Sequence, residues 1–159
     1  MRGVRSVFIM EKIRITKHFD FESAHALYGY DGKCKNIHGH SYHLYVTIIG
    51  TPIDDLDNPK NGMVLDFGDL KKMVKKKIVE VFDHAVVLNK NSPHIELAKT
   101  INDHSHKVVL VAYQPTSENM LFDFAERIKS QLPQNVSLHS LKLYETANSY
   151  AEWYAADQV

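Results

Sequence analysis

The sequence predicts an α+β domain in which an antiparallel sheet carries two helices packed on one face. Two observations lead to this prediction. Segments with strand-type alternation lie near both ends of the chain, and two segments with helical periodicity lie between them. Strands at both ends with helices between them favour a sheet that is covered on one side. The chain has 159 residues, which suits one domain with an adequate core.

The composition is that of an ordinary globular chain and argues against two classes of partner. Hydrophobic residues make up 44% of the chain and charged residues 24%. The 19 Lys and Arg residues balance the 19 Asp and Glu residues, so no global field favours nucleic acid. No apolar run approaches the ~18 residues that a membrane-spanning helix needs. We therefore expect neither a nucleic-acid partner nor a membrane partner.

The cysteine count and the start of the chain bear on compartment and domain organisation. Cys34 is the only cysteine, so an intrachain disulfide framework is excluded, and we expect a reducing, cytoplasmic location. Residues 1–9 are too short for a secretory signal. Met10 directly precedes the first predicted strand and is an alternative native start. We expect residues 1–9 to be a loose extension and residues 10–159 to form one domain.

The first two predicted strands place metal-capable side chains on one face. Residues 13–25 and 38–50 both alternate between apolar and polar side chains. Side chains two positions apart leave a strand on the same face, so His38 and His40 share a face. If the strands pair antiparallel, His25 approaches both of them, and the connecting loop carries Cys34. Three protein ligands with an open fourth position are typical of a catalytic zinc site.

Each of these residues also has an ordinary structural interpretation. A single histidine in a strand is more often packed or hydrogen-bonded than bound to metal, and the 10 histidines of the chain produce pairs by chance. His104 and His106 form such a pair and are the main competitor for adventitious metal binding. A lone cysteine is more often a small buried hydrophobe than a reactive group. The combination is more specific than any of its members.

Two helices are predicted between the outer strands. Residues 69–82 have apolar side chains at helical spacing, whereas their lysines lie mainly off that stripe and form a solvated face. Residues 117–132 form the second helix, with Thr116 or Ser117 as its cap and Pro133 at its end. A short strand-like run lies between them at residues 107–113. Residues 89–106 have the weakest pattern, with a short helix at 95–102 as the best interpretation.

Residues 138–154 are predicted to form the last strand. Its alternation places Leu141, Leu143 and Glu145 on one face, so an apolar face ends in a carboxylate. A glutamate at such a position is usually exposed at the strand end or paired with a cation. Glu145 is therefore a candidate functional residue only in combination with other evidence.

Four motifs in order resemble the 6-pyruvoyl tetrahydropterin synthase / 6-carboxytetrahydropterin synthase family, over residues 12–154. The first is His25 with the Cys-x-x-x-His-Gly-His run that ends at His40. The others are Asp-His-Ala-Val-Val-Leu-Asn at 83–89, Pro-Thr-Ser-Glu-Asn at 115–119 and Leu-Tyr-Glu-Thr at 143–146. The resemblance implies the tunnelling fold (T-fold), in which subunit sheets assemble into a barrel. It also implies a homo-hexamer of two stacked trimers, with sites between subunits.

The resemblance implies roles for the matched residues in a reaction on 7,8-dihydroneopterin triphosphate. Zinc would be held by three histidines, His25, His38 and His40. Proton transfer would fall to Cys34 as general base and to the relay pair Asp83 and His84. Glu145 would hold the pterin ring, and the helix-start turn would lie against the same ring, through Thr116, Ser117 and Glu118. The turn residues have an alternative role as a simple helix cap.

Three functions are compatible with these motifs. The leading hypothesis is a zinc-dependent lyase that makes 6-carboxy-5,6,7,8-tetrahydropterin for queuosine-type 7-deazapurine synthesis, with release of acetaldehyde and triphosphate. The alternative is a 6-pyruvoyl tetrahydropterin synthase, which eliminates triphosphate without C–C cleavage. The third is a non-catalytic, zinc-stabilised pterin-binding oligomer, which the joint presence of Cys34, Asp83, His84 and Glu145 disfavours. The compact spacing from Cys34 to His38 resembles the bacterial carboxytetrahydropterin enzymes, although residues 89–106 look like an insertion.

Overall fold

A computed structural model describes residues 11–158, and its backbone is organised around one six-stranded sheet. The strands are β1 (Ile13–His25), β2 (His38–Gly50), β3 (Ala85–Asn89), β4 (Val108–Val111), β5 (Val136–Thr146) and β6 (Ser149–Tyr154). Their order across the sheet is β4-β3-β1-β2-β5-β6. The predicted extension at residues 1–9 lies outside the described residues.

The sheet is mixed, whereas an antiparallel sheet was expected. β1, β2, β5 and β6 pair antiparallel in succession. β3 lies parallel to β1, and β4 lies parallel to β3. A parallel pair needs a crossover connection, and residues 89–106 supply one between β3 and β4. The segment with the weakest sequence pattern is therefore a structural crossover.

The last predicted strand is a hairpin of two strands. β5 and β6 are joined by a tight turn at residues 147–148, and Tyr144 pairs with Tyr150 across it. Asn148 donates its backbone N–H to Thr146 Oγ1 at 3.4 Å. Asparagine is a favoured turn residue. It was the only sign in the sequence that the predicted strand divides into two, because the alternation continues on both sides of the turn.

The helical prediction for residues 69–82 is confirmed, although the run begins earlier and is not uniform. Helix α1 (Phe67–Val74) continues through a π-helical turn (Lys75–Val79) into α2 (Glu80–Phe82). Asp66 caps α1 by accepting the N–H groups of Gly68 and Asp69 at 2.6 and 3.3 Å. Because a carboxylate satisfies two otherwise unpaired donors there, the helix starts directly after Asp66.

The other two helices are α3 (His94–Asp103) and α4 (Ser117–Lys129). α3 confirms the short helix expected at 95–102, and it runs from His94 to Asp103. Thr116 caps α4 by accepting the Asn119 N–H at 3.4 Å, and α4 ends before the predicted residue 132. Within residues 11–158, no helix is long and apolar enough to cross a membrane.

The main core lies between one sheet face and the α1 and α4 helices. Leu44, Val46 and Ile48 on β2 are fully buried in it, together with Phe124 of α4. A smaller cluster of Ala26, Leu88 and Ala98 packs beneath α3. Adjacent residues of a strand point to opposite faces of the sheet. Val87 belongs to the main core, so its neighbour Leu88 and the helix α3 that packs on it lie on the opposite face, near β3 and β4. The two helices expected on one sheet face, α1 and α4, lie there together, and α3 lies on the other face.

Candidate active site

The antiparallel pairing of β1 and β2 brings three histidines together at one end of the ladder. His25 pairs with His38, and Ser23 pairs with His40. The Nε2 atoms of His25 and His38 are 3.1 Å apart, and the rings of His38 and His40 have centroids 4.9 Å apart. The expected approach of the three side chains on one face is confirmed.

Backbone carbonyls fix the tautomers of two of these rings. His25 Nδ1 lies 2.6 Å from the Pro115 oxygen, and His38 Nδ1 lies 2.8 Å from the Asn36 oxygen. A carbonyl can only accept, so each Nδ1 carries a hydrogen and donates it. In the neutral rings both Nε2 atoms therefore present lone pairs to the same point. Such a second hydrogen bond is typical of histidines that bind metal.

The arrangement fits a divalent metal ion. Tetrahedral zinc with Zn–N bonds of 2.0–2.1 Å holds its nitrogens about 3.3 Å apart, close to the separation of the two Nε2 atoms. His40 Nε2 is buried and has no hydrogen-bond partner among residues 11–158. Glu145 Oε1 lies 3.0 Å from it, but outside hydrogen-bonding geometry. A buried polar atom without a partner is costly, and a shared cation would satisfy all three nitrogens.

The donor set consists of three imidazole nitrogens and one carboxylate oxygen. One donor atom from each of His25, His38, His40 and Glu145 lies within 4.8 Å of the others. Nitrogen and oxygen donors of this kind suit zinc and similar divalent ions. These four residues could therefore hold a metal ion.

Burial keeps two of the histidines neutral. It lowers the pKa of His25 below the ordinary value, and the hydrogen bond to the Pro115 carbonyl only partly opposes this effect. Burial also lowers the pKa of His40, against the opposing charge of Glu145. A histidine binds metal only as the neutral ring, so both shifts prepare the cluster for a cation.

Glu145 joins this cluster from β5, a contact that the strand phase did not predict. Its Oε1 faces His40 and lies 3.8 Å from His25 Nε2. Its Oε2 accepts the Ser117 hydroxyl at 2.7 Å. The β2–β5 register could have revealed the contact, since Leu143 pairs with Leu44 and Glu145 then falls opposite Tyr42.

Tyr42 is a site residue that sequence reasoning missed. It follows His40 by two positions on β2, and the two ring centroids are 5.5 Å apart. Its side chain is buried, and its hydroxyl has no hydrogen-bond partner within residues 11–158. Burial raises the pKa of Tyr42, and the charges of Glu145 and Cys34 raise it further. The position of Tyr42 two residues after His40, on the same strand face, was the signal in the sequence that could have identified it.

Cys34 lies in the loop between β1 and β2, as expected. The loop forms a 3-10 turn (Lys33–Lys35), and the Leu27 N–H donates to the Cys34 carbonyl at 3.0 Å. The side chain is half-buried. Its sulfur is not among the donor atoms that lie within 4.8 Å of one another. Cys34 is therefore not a ligand in the cluster, but it lies near enough to Tyr42 for its charge to raise the pKa of that hydroxyl.

Asp83 and His84 lie on the other side of the sheet. The His84 N–H donates to the Glu22 carbonyl at 2.6 Å, and Asp83 Oδ1 accepts the Glu22 N–H at 2.9 Å. His84 lines a cavity together with Glu22 and Ser41, whose side chains alternate with those of His25 and His40 and so face away from the histidine cluster. The His84 side chain is 77% exposed. Within a single chain, Asp83 and His84 therefore do not reach the histidine cluster.

The Asp83–His84 pair has the geometry of an oriented proton-transfer group. Asp83 Oδ2 lies 3.0 Å from His84 Nδ1. Burial alone would raise the pKa of Asp83, but the Glu22 N–H and His84 hold it below the ordinary value. His84 has φ of 54°, a left-handed conformation that is uncommon for residues other than glycine and is enriched at functional sites.

The three turn residues before and in α4 have different surroundings. Thr116 caps the helix, and Ser117 is buried and bound to Glu145. Glu118 is exposed. His104 and His106 are exposed too, and neither belongs to a group of three or more potential ligands in the described chain.

Comparisons with known proteins agree with this architecture. The chain is 37% identical over 143 residues to the 6-carboxy-5,6,7,8-tetrahydropterin synthase of Haemophilus influenzae, covering 88% of this chain and 97% of that protein. It is 30% identical to the enzyme of the same name from Aquifex aeolicus, covering 89% and 98% of the two chains.

Solved structures show the same fold. The 6-pyruvoyl tetrahydropterin synthase of Caenorhabditis elegans matches with a TM-score of 0.66 at 23% identity, over 94% of this chain and 99% of that one. An uncharacterised protein of Wolinella succinogenes matches with a TM-score of 0.73 at 23% identity, over 91% and 99%. The α+β tunnelling fold is confirmed. The family described as 6-pyruvoyl tetrahydropterin synthase matches residues 14–156, and the chain belongs to this family.

Proposed function

We propose that this chain is a zinc-dependent lyase that converts 7,8-dihydroneopterin triphosphate to 6-carboxy-5,6,7,8-tetrahydropterin, with release of acetaldehyde and triphosphate. The observation that carries the proposal is the convergence of three histidine nitrogens and one carboxylate within 4.8 Å. Relatives named 6-carboxy-5,6,7,8-tetrahydropterin synthase support the product. The reaction belongs to queuosine-type 7-deazapurine synthesis, and the single cysteine agrees with a cytoplasmic location.

In this proposal the metal ligands are His25, His38 and His40, through their Nε2 atoms. Zinc held by these residues would supply a Lewis acid for the side-chain hydroxyls of the substrate, which would make the adjacent protons easier to remove. The Pro115 and Asn36 carbonyls hold two of the rings in the tautomer that the metal needs. Three protein donors leave room for the substrate oxygens.

Cys34 is the proposed general base. The thiolate is the reactive form of a cysteine side chain. The loop position between the two histidine-bearing strands supports this role, because Cys34 flanks the ligands without competing for the metal. The rigid ends of β1 and β2 fix both ends of the loop, which restricts where the sulfur can lie.

Asp83 and His84 are the proposed proton relay, and they act in the site of a neighbouring subunit. Within one chain, His84 lies beside Glu22 and Ser41 on the sheet face opposite the metal ligands, so the pair and the ligands would meet in a site shared between two chains. The exposed His84 ring, oriented by Asp83, is available to a second chain. A homo-hexamer of two trimers, with sites between subunits, is part of the proposal.

Mixing two inactive variants tests the shared site. His84→Ala and Cys34→Ala subunits, each inactive alone, are unfolded together and reassembled. If each site takes Cys34 from one chain and His84 from another, the mixture should regain part of the wild-type rate, because some mixed sites contain both intact residues. Recovery should follow the fraction of mixed oligomers, and a matched mixture of His84→Ala with Asp83→Ala should recover nothing. Full activity in a monomer would contradict the arrangement.

Glu145 is the proposed pterin anchor. A carboxylate accepts two N–H groups from the 2-aminopyrimidinone edge, which gives bidentate recognition. Ser117 holds Oε2 and thereby orients the group. Oε1 lies 3.0 Å from His40 Nε2, so a pterin held by Glu145 would lie next to the histidine cluster. Thr116 and Glu118 complete the proposed contacts at the start of α4.

The choice of product rests on the compact spacing between Cys34 and His38, which are four positions apart. A short tether constrains the thiolate near the substrate side chain, in keeping with C–C cleavage. Incubation with dihydroneopterin triphosphate, followed by mass analysis, should yield acetaldehyde and triphosphate in equal amounts. Triphosphate release with a retained three-carbon side chain would instead assign the chain as a 6-pyruvoyl tetrahydropterin synthase. Binding without turnover would favour the non-catalytic pterin-binding oligomer.

A further inference from the structure

A second cluster of potential metal ligands lies on the β1–β2 ladder. His18, Asp20 and His43 offer one donor atom each, and these atoms lie within 4.8 Å of one another. His18 Nε2 is 2.8 Å and His43 Nδ1 is 2.5 Å from the same oxygen, Asp20 Oδ1. The three donors therefore converge on one point.

This cluster is separate from the buried histidine site. His18 and Asp20 are even-numbered residues of β1, whereas His25 is odd-numbered, so they leave the strand on opposite faces. On β2 the same alternation separates His43 from His38 and His40. The side chains of the second cluster are 39–61% exposed, whereas the side chain of His25 is 3% exposed. One ion cannot serve both clusters.

The ladder positions the second cluster before any ion binds. Asp20 and His43 are direct partners in the β1–β2 register, and His18 lies two residues before Asp20 on the same face. The His18 ring stacks on Tyr45 with centroids 4.5 Å apart and planes tilted by 21°. The stacking limits the rotation of His18, so less conformational entropy is lost when it binds a ligand.

The distances agree with a small cation. Tetrahedral zinc with ligand bonds near 2.0–2.1 Å separates its donor atoms by about 3.3 Å, so these side chains must open by less than about 1 Å. Exposed side chains can make that shift without disturbing the core. Two imidazoles and one carboxylate are a donor set for borderline first-row ions, whereas magnesium and calcium prefer oxygen donors throughout.

We propose that His18, Asp20 and His43 form a second site for a divalent transition ion such as zinc, nickel or copper. The site lies on the opposite sheet face from His25, His38 and His40 and has open coordination positions for water. It exchanges its ion faster than the buried cluster does, because its ligands are solvated.

Metal counting on the full-length, metal-free protein tests the proposal. The wild-type chain is dialysed against zinc alone, and the metal bound per chain is measured by elemental mass spectrometry. The His18→Ala/His43→Ala variant should bind one equivalent fewer than wild type, and Asp20→Asn should weaken that equivalent roughly tenfold or more. The control variant His104→Ala/His106→Ala removes two exposed histidines outside the cluster and should bind as wild type does.

The design separates loss of the site from loss of the fold. His25, His38 and His40 lie on the same two strands, so metal retained there shows that the β1–β2 ladder is intact. Asp20→Asn keeps the size of the side chain, so it provides a second test of the site if the double variant misfolds. The proposal is overturned if both variants bind as much zinc, with the same affinity, as the wild type. This outcome is independent of whether the buried cluster binds zinc.

Discussion

His25 and His38 face each other across the end of the β1–β2 ladder, with Nε2 atoms 3.1 Å apart and each Nδ1 bound to a backbone carbonyl. Neither Nε2 can donate a hydrogen bond to the other while both rings are neutral. Two lone pairs so close together repel each other unless a cation or a proton lies between them. The two carbonyl contacts therefore favour the binding of a cation between these Nε2 atoms.

Replacing His38 and His40 together by alanine should remove the buried metal ion and the activity. Two of the three nitrogen donors are lost, and the remaining His25 cannot hold zinc alone. Metal content per chain and turnover should fall in the same samples. His104→Ala/His106→Ala is the matched control and should change neither. Full occupancy of the buried site in the His38/His40 variant would remove the metal assignment.

Cys34→Ala should separate metal binding from proton transfer. The sulfur lies outside the group of converging donor atoms, so the metal content should stay at the wild-type level. Turnover should fall by roughly 10²–10⁴-fold, the usual contribution of a general base. Steady-state kinetics and pterin binding by fluorescence are measured on the same preparation. A wild-type rate in Cys34→Ala would show that the thiolate has no part in the reaction.

Glu145→Gln should weaken pterin binding more than it lowers metal content. The amide turns one acceptor into a donor that faces the N–H groups of the ring, which leaves a mismatched polar pair. The three histidine ligands are unchanged, so metal content should be largely retained. Ser117→Ala removes only the hydroxyl that orients the carboxylate and should give a smaller loss of affinity. If Glu145→Gln loses its metal but binds pterin normally, the carboxylate is a metal ligand instead.

The metal-free protein should lose stability as the pH falls below the ordinary histidine value of 6.5. Burial lowers the pKa of His25 and His40 in the folded chain, so below that pH the unfolded chain binds more protons. Stability is therefore highest above pH 6.5 and declines as the pH falls toward the folded-state values. Urea unfolding between pH 7.5 and 5.0 measures the slope. A His25→Gln variant should show a shallower slope, and an unchanged slope would contradict this cause.

The sequence predicted those parts of the fold that depend on local periodicity. The alternation of residues 13–25 and 38–50 placed both strands and their shared face correctly, because the period of two is imposed by the backbone itself. The direction of β4 could not be predicted in this way. Strand direction depends on how residues 89–106 cross the sheet, and that segment has no pattern that specifies the side it covers.

The candidate site was predictable where its residues share one strand pair, and not where they meet through long-range register. His25, His38 and His40 follow from one antiparallel pairing. The contact between Glu145 and Ser117 joins β5 to α4 and requires the position of the helix as well as the β2–β5 register. The Pro115 carbonyl at His25 has the same origin, since it comes from the loop before α4.

Tyr42 and Tyr113 allow a paired test of what a buried hydroxyl contributes to stability. The Tyr42 hydroxyl is buried without a partner within residues 11–158, whereas the Tyr113 hydroxyl donates to Asp123 Oδ2 at 2.7 Å. Removing an unpartnered polar atom while keeping the ring is nearly neutral or stabilising, so Tyr42→Phe should leave the free energy of unfolding equal to or above that of wild type.

Tyr113→Phe should lower the free energy of unfolding by about 1–2 kcal/mol, because it removes a hydrogen bond to a charged group. Asp123 keeps its contact with Arg127 Nε at 2.8 Å, which limits the loss. Both variants delete the same oxygen from the same residue type, so their difference isolates the hydrogen bond. Chemical denaturation of the metal-free proteins at one pH gives both values. A larger loss for Tyr42→Phe than for Tyr113→Phe would mean that the Tyr42 hydroxyl has a stabilising partner in solution.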